Sequence, residues 1–384
     1  MTTAPSPQTT RLPVWKRLAY SAIFVAILLC IPELTLRWTH VDQLLFPTLF
    51  KDQYDENSDG MWRLLTSDPV LYWRGRPFAR LSGTDEFLNE RGFRGNNFHD
   101  EKPPRMQRIV CMGDSSTFGM VHHGGINFTY SPTYSTELQR ILNKDKKRQA
   151  IEVINAGVIG YSTLQGLRLL KHDVRYWHPD LITIRYGVND HLRIDPNYVA
   201  APEPRNAIAR WLQDELLDTR IFQLLIRLRA AVMRVAASSA TKTPAANPAA
   251  QPAPVQVRVP LSEYEDNLRR FVLEARATGA KVLLMTAPVA PASQEITSNK
   301  AKLWVMGYQR YEDLVARHRQ YDDVARRVAA DMHVPLLDSS RQLQERGLEK
   351  YFTKFDFAHP TGNGHTTIAQ DLAALIQSEN LLAQ

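Results

Sequence analysis

A serine hydroxyl is almost fully protonated at neutral pH, so it attacks a carbonyl only where a base can take its proton. In this chain of 384 residues the serine best placed for such chemistry is Ser115. It stands in Arg108-Ile-Val-Cys-Met-Gly-Asp-Ser-Ser-Thr-Phe-Gly119, where the apolar run Ile109 to Met112 gives way at once to Gly113, Asp114 and Ser115. The run has the length and type of a buried strand. A tight turn after it lifts the hydroxyl to the carboxyl end of a sheet, where open α/β folds bind ligands. A Gly-Asp-Ser triplet is a weak signal by itself. Three later stretches add to it: Asn155-Ala-Gly-Val-Ile-Gly160 after the apolar run Ile151 to Ile154, Tyr186-Gly-Val-Asn-Asp190 after Leu181-Ile-Thr-Ile184, and Asp356-Phe-Ala-His-Pro360, which runs into Thr-Gly-Asn-Gly-His365.

In this order and at these places the blocks resemble the SGNH (GDSL-like) hydrolase superfamily, in a membrane-anchored bacterial form. That family is named for a serine, a glycine, an asparagine and a histidine in four separated blocks. The resemblance extends over roughly residues 105 to 380. It puts the nucleophile on Ser115, oxyanion-hole donors on Gly160 and Asn189, and the base on His359 with Asp356 orienting it. Ser116 stands where the family name has leucine. The fold it implies is a doubly wound parallel α/β sheet, flavodoxin-like and three-layered.

The residues themselves suit these roles. His359 can take the serine proton and later return one to a leaving alcohol. Asp356, three residues earlier in a loop, can fold back onto Nδ1 and fix the tautomer, and Pro360 stiffens the backbone just beyond. A surface Asp-His pair near a turn is the alternative. A tetrahedral oxyanion needs donors already in place, and the N–H of Ser115, the N–H of Gly160 and the side-chain amide of Asn189 can converge on one. A glycine at 160 lets the chain approach a substrate without a Cβ. Gly157 is a rival for that role, and Asn189 in isolation reads as a turn or cap residue, but not where it follows a strand and Gly187. Asp114 is expected to brace the turn, His191 to line the cleft, and His365 to pack or cap at the last helix. His122-His123 lacks the nearby cysteines or carboxylates of a metal site, so neither metal nor cofactor is expected. Cys111, in the strand, reads as core.

Alternating elements must position these groups. Strands are expected over 109–112, 151–154, 181–185, 281–286 and 335–338. Helices are expected near 135–143, 164–176, 262–278, 308–332 and 364–376. Residues 206–237 read as an apolar, arginine-studded helical stretch. The run Ala237-Ser-Ser-Ala-Thr-Lys-Thr-Pro to Pro254 cannot build a core and reads as a linker. Together they make an insert over about 195–260 in a hydrolase domain of 105–384. Residues 37–104 form an aromatic lead-in ending in Asn89-Glu-Arg-Gly-Phe-Arg-Gly95, a turn-rich segment expected to dock on the sheet edge.

Ahead of it, Leu18 to Ile31 is apolar without a charge, and Trp15 and Trp38 can anchor a span over 14–36 at two interfaces. Arg11, Lys16 and Arg17 flank it, which predicts a cytoplasmic N-terminus over 1–13 and a domain outside, in the periplasm of a bacterial inner membrane. A cleaved signal peptide is the rival, but no small-x-small site follows the run. The net charge of +7 is spread along the chain with no nucleic-acid-binding motif, so it implies mild attraction to anionic surfaces such as headgroups or acidic glycans. Two cysteines make no disulfide framework.

The expected activity is hydrolysis of a carboxylic ester, with an O-acyl or O-acetyl group on an envelope or exported saccharide as the substrate implied by the anchor and the resemblance. O-acetyl transfer to a polysaccharide, lipase or lysophospholipase action, and non-enzymatic glycan binding on the same fold are the alternatives.

Overall fold

Strands of a parallel sheet are covered on both faces and read as unbroken apolar runs, and the runs singled out above become one sheet. A computed structural model of the chain describes residues 13–45, 60–68, 70–124, 128–144, 149–193, 219–240 and 257–382, with Leu212 and Leu216. In chain order the strands are β1 (Leu65–Asp68), β2 (Tyr72–Gly75), β3 (Met106–Gly113), β4 (Met120–His122), β5 (Phe128–Tyr130), β6 (Ala150–Gly157), β7 (Leu181–Arg185), β8 (Lys281–Met285) and β9 (Leu336–Leu337). The helices are α1 (Val14–Thr39), α2 (Val41–Leu45), α3 (Ser115–Phe118), α4 (Tyr134–Leu142), α5 (Thr163–His172), α6 (Arg220–Ala240), α7 (Leu261–Ala277), α8 (Gln294–Ser298), α9 (Lys300–Met306), α10 (Tyr311–Asp331), α11 (Ser339–Glu345) and α12 (Gly362–Ser378). The chain divides into two compact units, residues 1–51 with 199–245, and residues 52–198 with 246–384.

The larger unit is built on a parallel five-stranded sheet in the order β6-β3-β7-β8-β9. In order of appearance these strands lie 2-1-3-4-5, the flavodoxin-like doubly wound arrangement, whose switch point lies beside the first strand. Gly113 is level with Gly157 on one side and Arg185 on the other, so three loops leave the sheet in one row. Ile109 and Cys111 join a core with Tyr134 and Leu138 of α4 and Ile368 and Leu372 of α12. Val110 and Met112 point the other way by strand alternation and are as deeply buried. Each such aliphatic side chain contributes about 1.5–3 kcal/mol by leaving water. Helix α7 packs against both α5 and α10, and α7 and α10 pack against β8.

Residues 60–104 are bonded into this unit. The Trp73 indole N–H donates to the Ile159 carbonyl at 2.8 Å, and the Tyr161 hydroxyl donates to the Trp73 carbonyl at 2.6 Å. Arg94, buried, donates through Nη1 to the carbonyls of Ser131 at 2.8 Å and Phe118 at 3.1 Å, and its guanidinium pairs with Glu86 at 2.7 Å. Its backbone bridges Asn155 on β6, the edge strand. The segment thereby covers an edge that would otherwise expose unpaired backbone.

In the smaller unit α1 has 26 residues, about 39 Å of helix against the ~30 Å hydrocarbon core of a bilayer. It continues through Pro32, and Phe24, Leu28 and Ile31 are exposed. Its length and composition suit a membrane span, a description that a signal sequence also meets. Glu33 caps α6, accepting from the N–H of Arg220 at 2.8 Å and of Ile221 at 3.0 Å, where a negative charge meets the positive end of the helix dipole.

Several element boundaries differ from the sequence reading. The helix expected over 308–332 starts at Tyr311, because Gly307, at φ +96°, closes α9 just before it. The helix expected over 164–176 stops at His172; Asp173 leaves helical geometry and Val174–Trp177 form a 3₁₀ turn. Of the stretch expected to be helical over 206–237, α6 covers residues 220–237, and the Ala/Pro-rich run after Ala240 lies outside the described residues.

Candidate active site

The turn after β3 is set by two small features. Asp114 caps α3, its Oδ1 accepting from the N–H of Ser116 at 2.8 Å. A Cβ at Gly113 would lie 2.0 Å from Thr117 Oγ1 and 2.8 Å from the Arg185 carbonyl, so only glycine fits there. Ser115 is therefore the first residue of α3, at the carboxyl end of the sheet and 8% exposed.

The loop before α12 brings the other partners to it. His359 Nε2 lies 2.7 Å from Ser115 Oγ, and Nδ1 lies 2.8 Å from Oδ2 and 3.0 Å from Oδ1 of Asp356. A carboxylate only accepts, so Nδ1 carries the proton and Nε2 is left to accept from the serine hydroxyl. Asp356 is buried, and its Oδ1 accepts from the N–H groups of Ala358 at 3.0 Å and His359 at 3.2 Å. Its Oδ2 accepts from the N–H of His122 at 2.9 Å. Burial alone would raise this carboxyl's pKa. The charge and hydrogen bond of His359, with the N–H groups of Ala358 and His122, outweigh it and hold the group at about 2. The depressed pKa contributes about 2 kcal/mol of stability, fully present above the ordinary value near 3.8 and lost as pH falls through about 2.

Three donors sit at the ends of neighbouring strands. The N–H of Ser115 opens a helix and has no acceptor within it. Gly160 has φ +81°; its carbonyl accepts from Arg258 Nη1 at 2.9 Å, and its N–H donates to no described residue. A Cβ there would come 3.2 Å from the Trp73 ring. Asn189 Nδ2 donates to the Tyr161 carbonyl at 3.0 Å and makes a longer contact of 3.4 Å with Asp114 Oδ2. The N–H of Gly157, the rival glycine, is already given to Asn155 Oδ1 at 2.9 Å, and a Cβ there would meet Phe118 N at 2.5 Å.

The remaining sequence candidates fall elsewhere. His191 does not line the cleft: it is fully buried, with Nδ1 2.8 Å from the Tyr308 hydroxyl and Nε2 3.1 Å from His318 Nδ1. His365 packs at the start of α12, its Nδ1 accepting from the Tyr134 N–H at 3.2 Å; burial, then the charges of Arg185 and Arg94, push its pKa down to about 3, so it stays neutral. Burial pushes the Cys111 thiol up to about 12, which keeps it an unreactive core group. His123 Nε2 contacts Thr129 Oγ1 at 2.7 Å, and the described residues hold no group of three or more His, Cys, Asp or Glu able to bind a metal ion.

Sequence reasoning missed two supports. Ser116 Oγ donates to the Ala358 carbonyl at 2.8 Å, tying the residue after Ser115 to the residue before His359. The leucine-to-serine departure was its signal. The His122 backbone N–H on Asp356 had none, since any residue type supplies one.

Comparison with protein families matches residues 111–367 to the GDSL-like lipase/acylhydrolase family. Comparison with curated proteins gives no match. Among solved structures the chain is similar to a catalytic mutant of an acetylxylan esterase from Geobacillus stearothermophilus, at 18% identity and a TM-score of 0.42, over 70% of this chain and 94% of that one. It is also similar to the lipase/acylhydrolase from Enterococcus faecalis, at 19% identity and a TM-score of 0.43, over 71% of this chain and 96% of that one. A third is an alpha/beta hydrolase from the metagenome of Lake Arreo, at 20% identity and a TM-score of 0.42, over 72% and 97%. The family match spans the Gly-Asp-Ser turn, both later strand-end blocks and the Asp-x-x-His loop: the chain belongs to the GDSL-like lipase/acylhydrolase family and is a serine hydrolase.

Proposed function

We propose that Ser115, His359 and Asp356 are the catalytic triad of this esterase, and that the N–H groups of Ser115 and Gly160 with the Asn189 amide form its oxyanion hole. The observation that carries this reading is the unbroken hydrogen-bond chain from Ser115 Oγ through His359 to Asp356. His359 Nε2 takes the serine proton as Oγ bonds to the ester carbonyl carbon. The oxyanion is met by the two N–H groups and by the Asn189 amide, which trades its 3.4 Å contact with Asp114 for the developing charge. As the intermediate collapses, the C–O bond to the alcohol breaks and the alcohol leaves with the proton from Nε2. Water then attacks the acyl-serine by the same route, and the carboxylic acid departs. Asp356 remains ionised throughout and keeps the imidazole in one tautomer.

The substrate we infer is an O-acyl ester, O-acetyl included, on an envelope or exported saccharide. The protein is held at a bacterial inner membrane by α1, with the catalytic unit on the periplasmic side. The support is the apolar α1 with Arg11, Lys16 and Arg17 on its amino side and the absence of a small-x-small cleavage pattern after the run.

A fluorophosphonate probe should label the wild-type protein and not Ser115→Ala; labelling that survives in the variant would move the nucleophile to another serine. Asn189→Ala should lower kcat by about 10²–10³-fold, roughly 2.7–4 kcal/mol of barrier, with KM little changed. A sharp fall in melting temperature with normal turnover would instead make Asn189 a turn residue. Ser116→Ala should lower kcat about fivefold at nearly constant KM, since losing one neutral hydrogen bond loosens the base by about 1 kcal/mol; unchanged kcat would show that the tether is dispensable. A phosphatase fused after Gln384 should be active only outside the cytoplasm and should sediment with membranes, whereas a soluble, shortened product would identify a cleaved signal.

A further inference from the structure

Beside the loop that carries Asp356 lies a cavity of about 500 Å³, within the range of small-molecule sites. Phe355 and Phe357, the neighbours of Asp356, form part of its wall; His122, Ser298, Asn299 and Lys302 supply polar groups. Lys302, on α9, is half-buried there and makes no ion pair with any described residue. Among the described residues its ammonium has one polar contact, His122 Nδ1 at 3.4 Å, and that nitrogen also lies 3.2 Å from the Phe355 carbonyl. A single ring nitrogen cannot accept from the ammonium and donate to the carbonyl at once. Glu295 also lines the cavity, but its carboxylate pairs with Lys354 at 2.7 Å. Burial pushes the Lys302 pKa below its ordinary value, and the charge of Asp356 pulls it partly back.

A partly desolvated ammonium in ion-pair contact with no described residue, in a cavity with aromatic walls, is a receptor for an anion carried on a less polar body. We propose that this cavity is an acid-recognising subsite, in which Lys302 binds a carboxylate borne by the saccharide whose acyl ester is presented to Ser115. The proposal rests on the esterase reading above. His122 of the cavity wall donates its N–H to Asp356 at 2.9 Å, and Asp356 reaches Ser115 through the His359 imidazole by bonds of 2.8 Å and 2.7 Å, so the cavity adjoins the triad. The chain's net charge of +7 favours the approach of an acidic glycan over a neutral one. Ser298 and Asn299 add neutral hydrogen-bonding groups suited to sugar hydroxyls.

The test compares O-acetyl glucuronate with O-acetyl glucose as substrates for the full chain, as the ratio of kcat/KM for the acid to that for the neutral sugar. Wild type should favour the acid about tenfold or more, Lys302→Arg should keep the preference, and Lys302→Gln should bring the ratio close to one. A wild type without preference, or a preference that survives in Lys302→Gln, overturns the proposal. So does free glucuronate that binds to the wild type without competing with the ester, because the anion site would then be separate from the substrate. Fluorophosphonate labelling of Ser115 is run on every variant. Absence of labelling in wild type refutes the esterase reading, whereas intact labelling with no acid preference refutes the subsite alone.

Discussion

A carboxylate with almost no solvent contact must find its donors inside the protein, and Asp356 finds them on two separate stretches of chain. Ala358 and His359 supply backbone N–H groups, His359 supplies Nδ1–H, and His122 reaches in from β4. An unpaired buried charge would cost several kcal/mol. The last loop of the chain therefore cannot settle until the segment after the first sheet strand is in place. That requirement fixes where His359 stands, and so fixes the imidazole against Ser115. It also explains why the carboxyl stays ionised despite burial: the donors that make burial tolerable are the same ones that hold its pKa near 2.

The sheet solves the matching problem for the other groups. Gly113, Gly157 and Arg185 lie in one row, so the blocks that follow them leave the sheet at the same level. Two of these positions must be glycine for steric reasons. A side chain at 113 would collide with Thr117 and the Arg185 carbonyl, and one at 157 with the backbone of α3. The short helix is thus pressed into a gap between neighbouring strands. Asn155 closes the gap, donating from Nδ2 to the Thr117 carbonyl while its Oδ1 accepts from Gly157. Gly160, three residues further on, is freed from both demands, and Trp73 from the lead-in lies against it.

Legibility in the sequence followed burial. The strands of the sheet and the helices α4, α5, α7, α10 and α12 carry enough apolar residues to announce their type, and their ends shift by a few residues where a glycine or an irregular cap intervenes. The hairpins β1–β2 and β4–β5 and the helices α8, α9 and α11 are too short to show a period, so their placement depends on tertiary contacts. The docking of residues 60–104 on the sheet edge was expected from the turn-rich lead-in, but the bonds that hold it were hidden. Trp73 and Arg94 bond to backbone carbonyls, which carry no residue type to recognise. At the site, side chains with intrinsic chemistry were legible. The backbone N–H of His122 and the packing that withdraws His191 from the cleft were not.

In the proposed reaction the bond between Ser115 and His359 is the one contact that cannot hold the site together, because it is consumed. Once Oγ carries an acyl group it no longer offers a proton to Nε2, yet the imidazole must remain positioned to activate water. Its place then depends on contacts outside the reacting atoms. Ser116 holds the Ala358 carbonyl at 2.8 Å, and His122 holds Asp356 at 2.9 Å. Thr353, early in the same loop, donates to the His122 carbonyl at 2.7 Å, so the His122 segment grips the loop at two points. None of these bonds involves Ser115 Oγ or His359 Nε2. A leucine at 116 would leave the Ala358 carbonyl without that donor, which makes the serine in this chain a second fastening for a base whose first fastening is lost in every cycle.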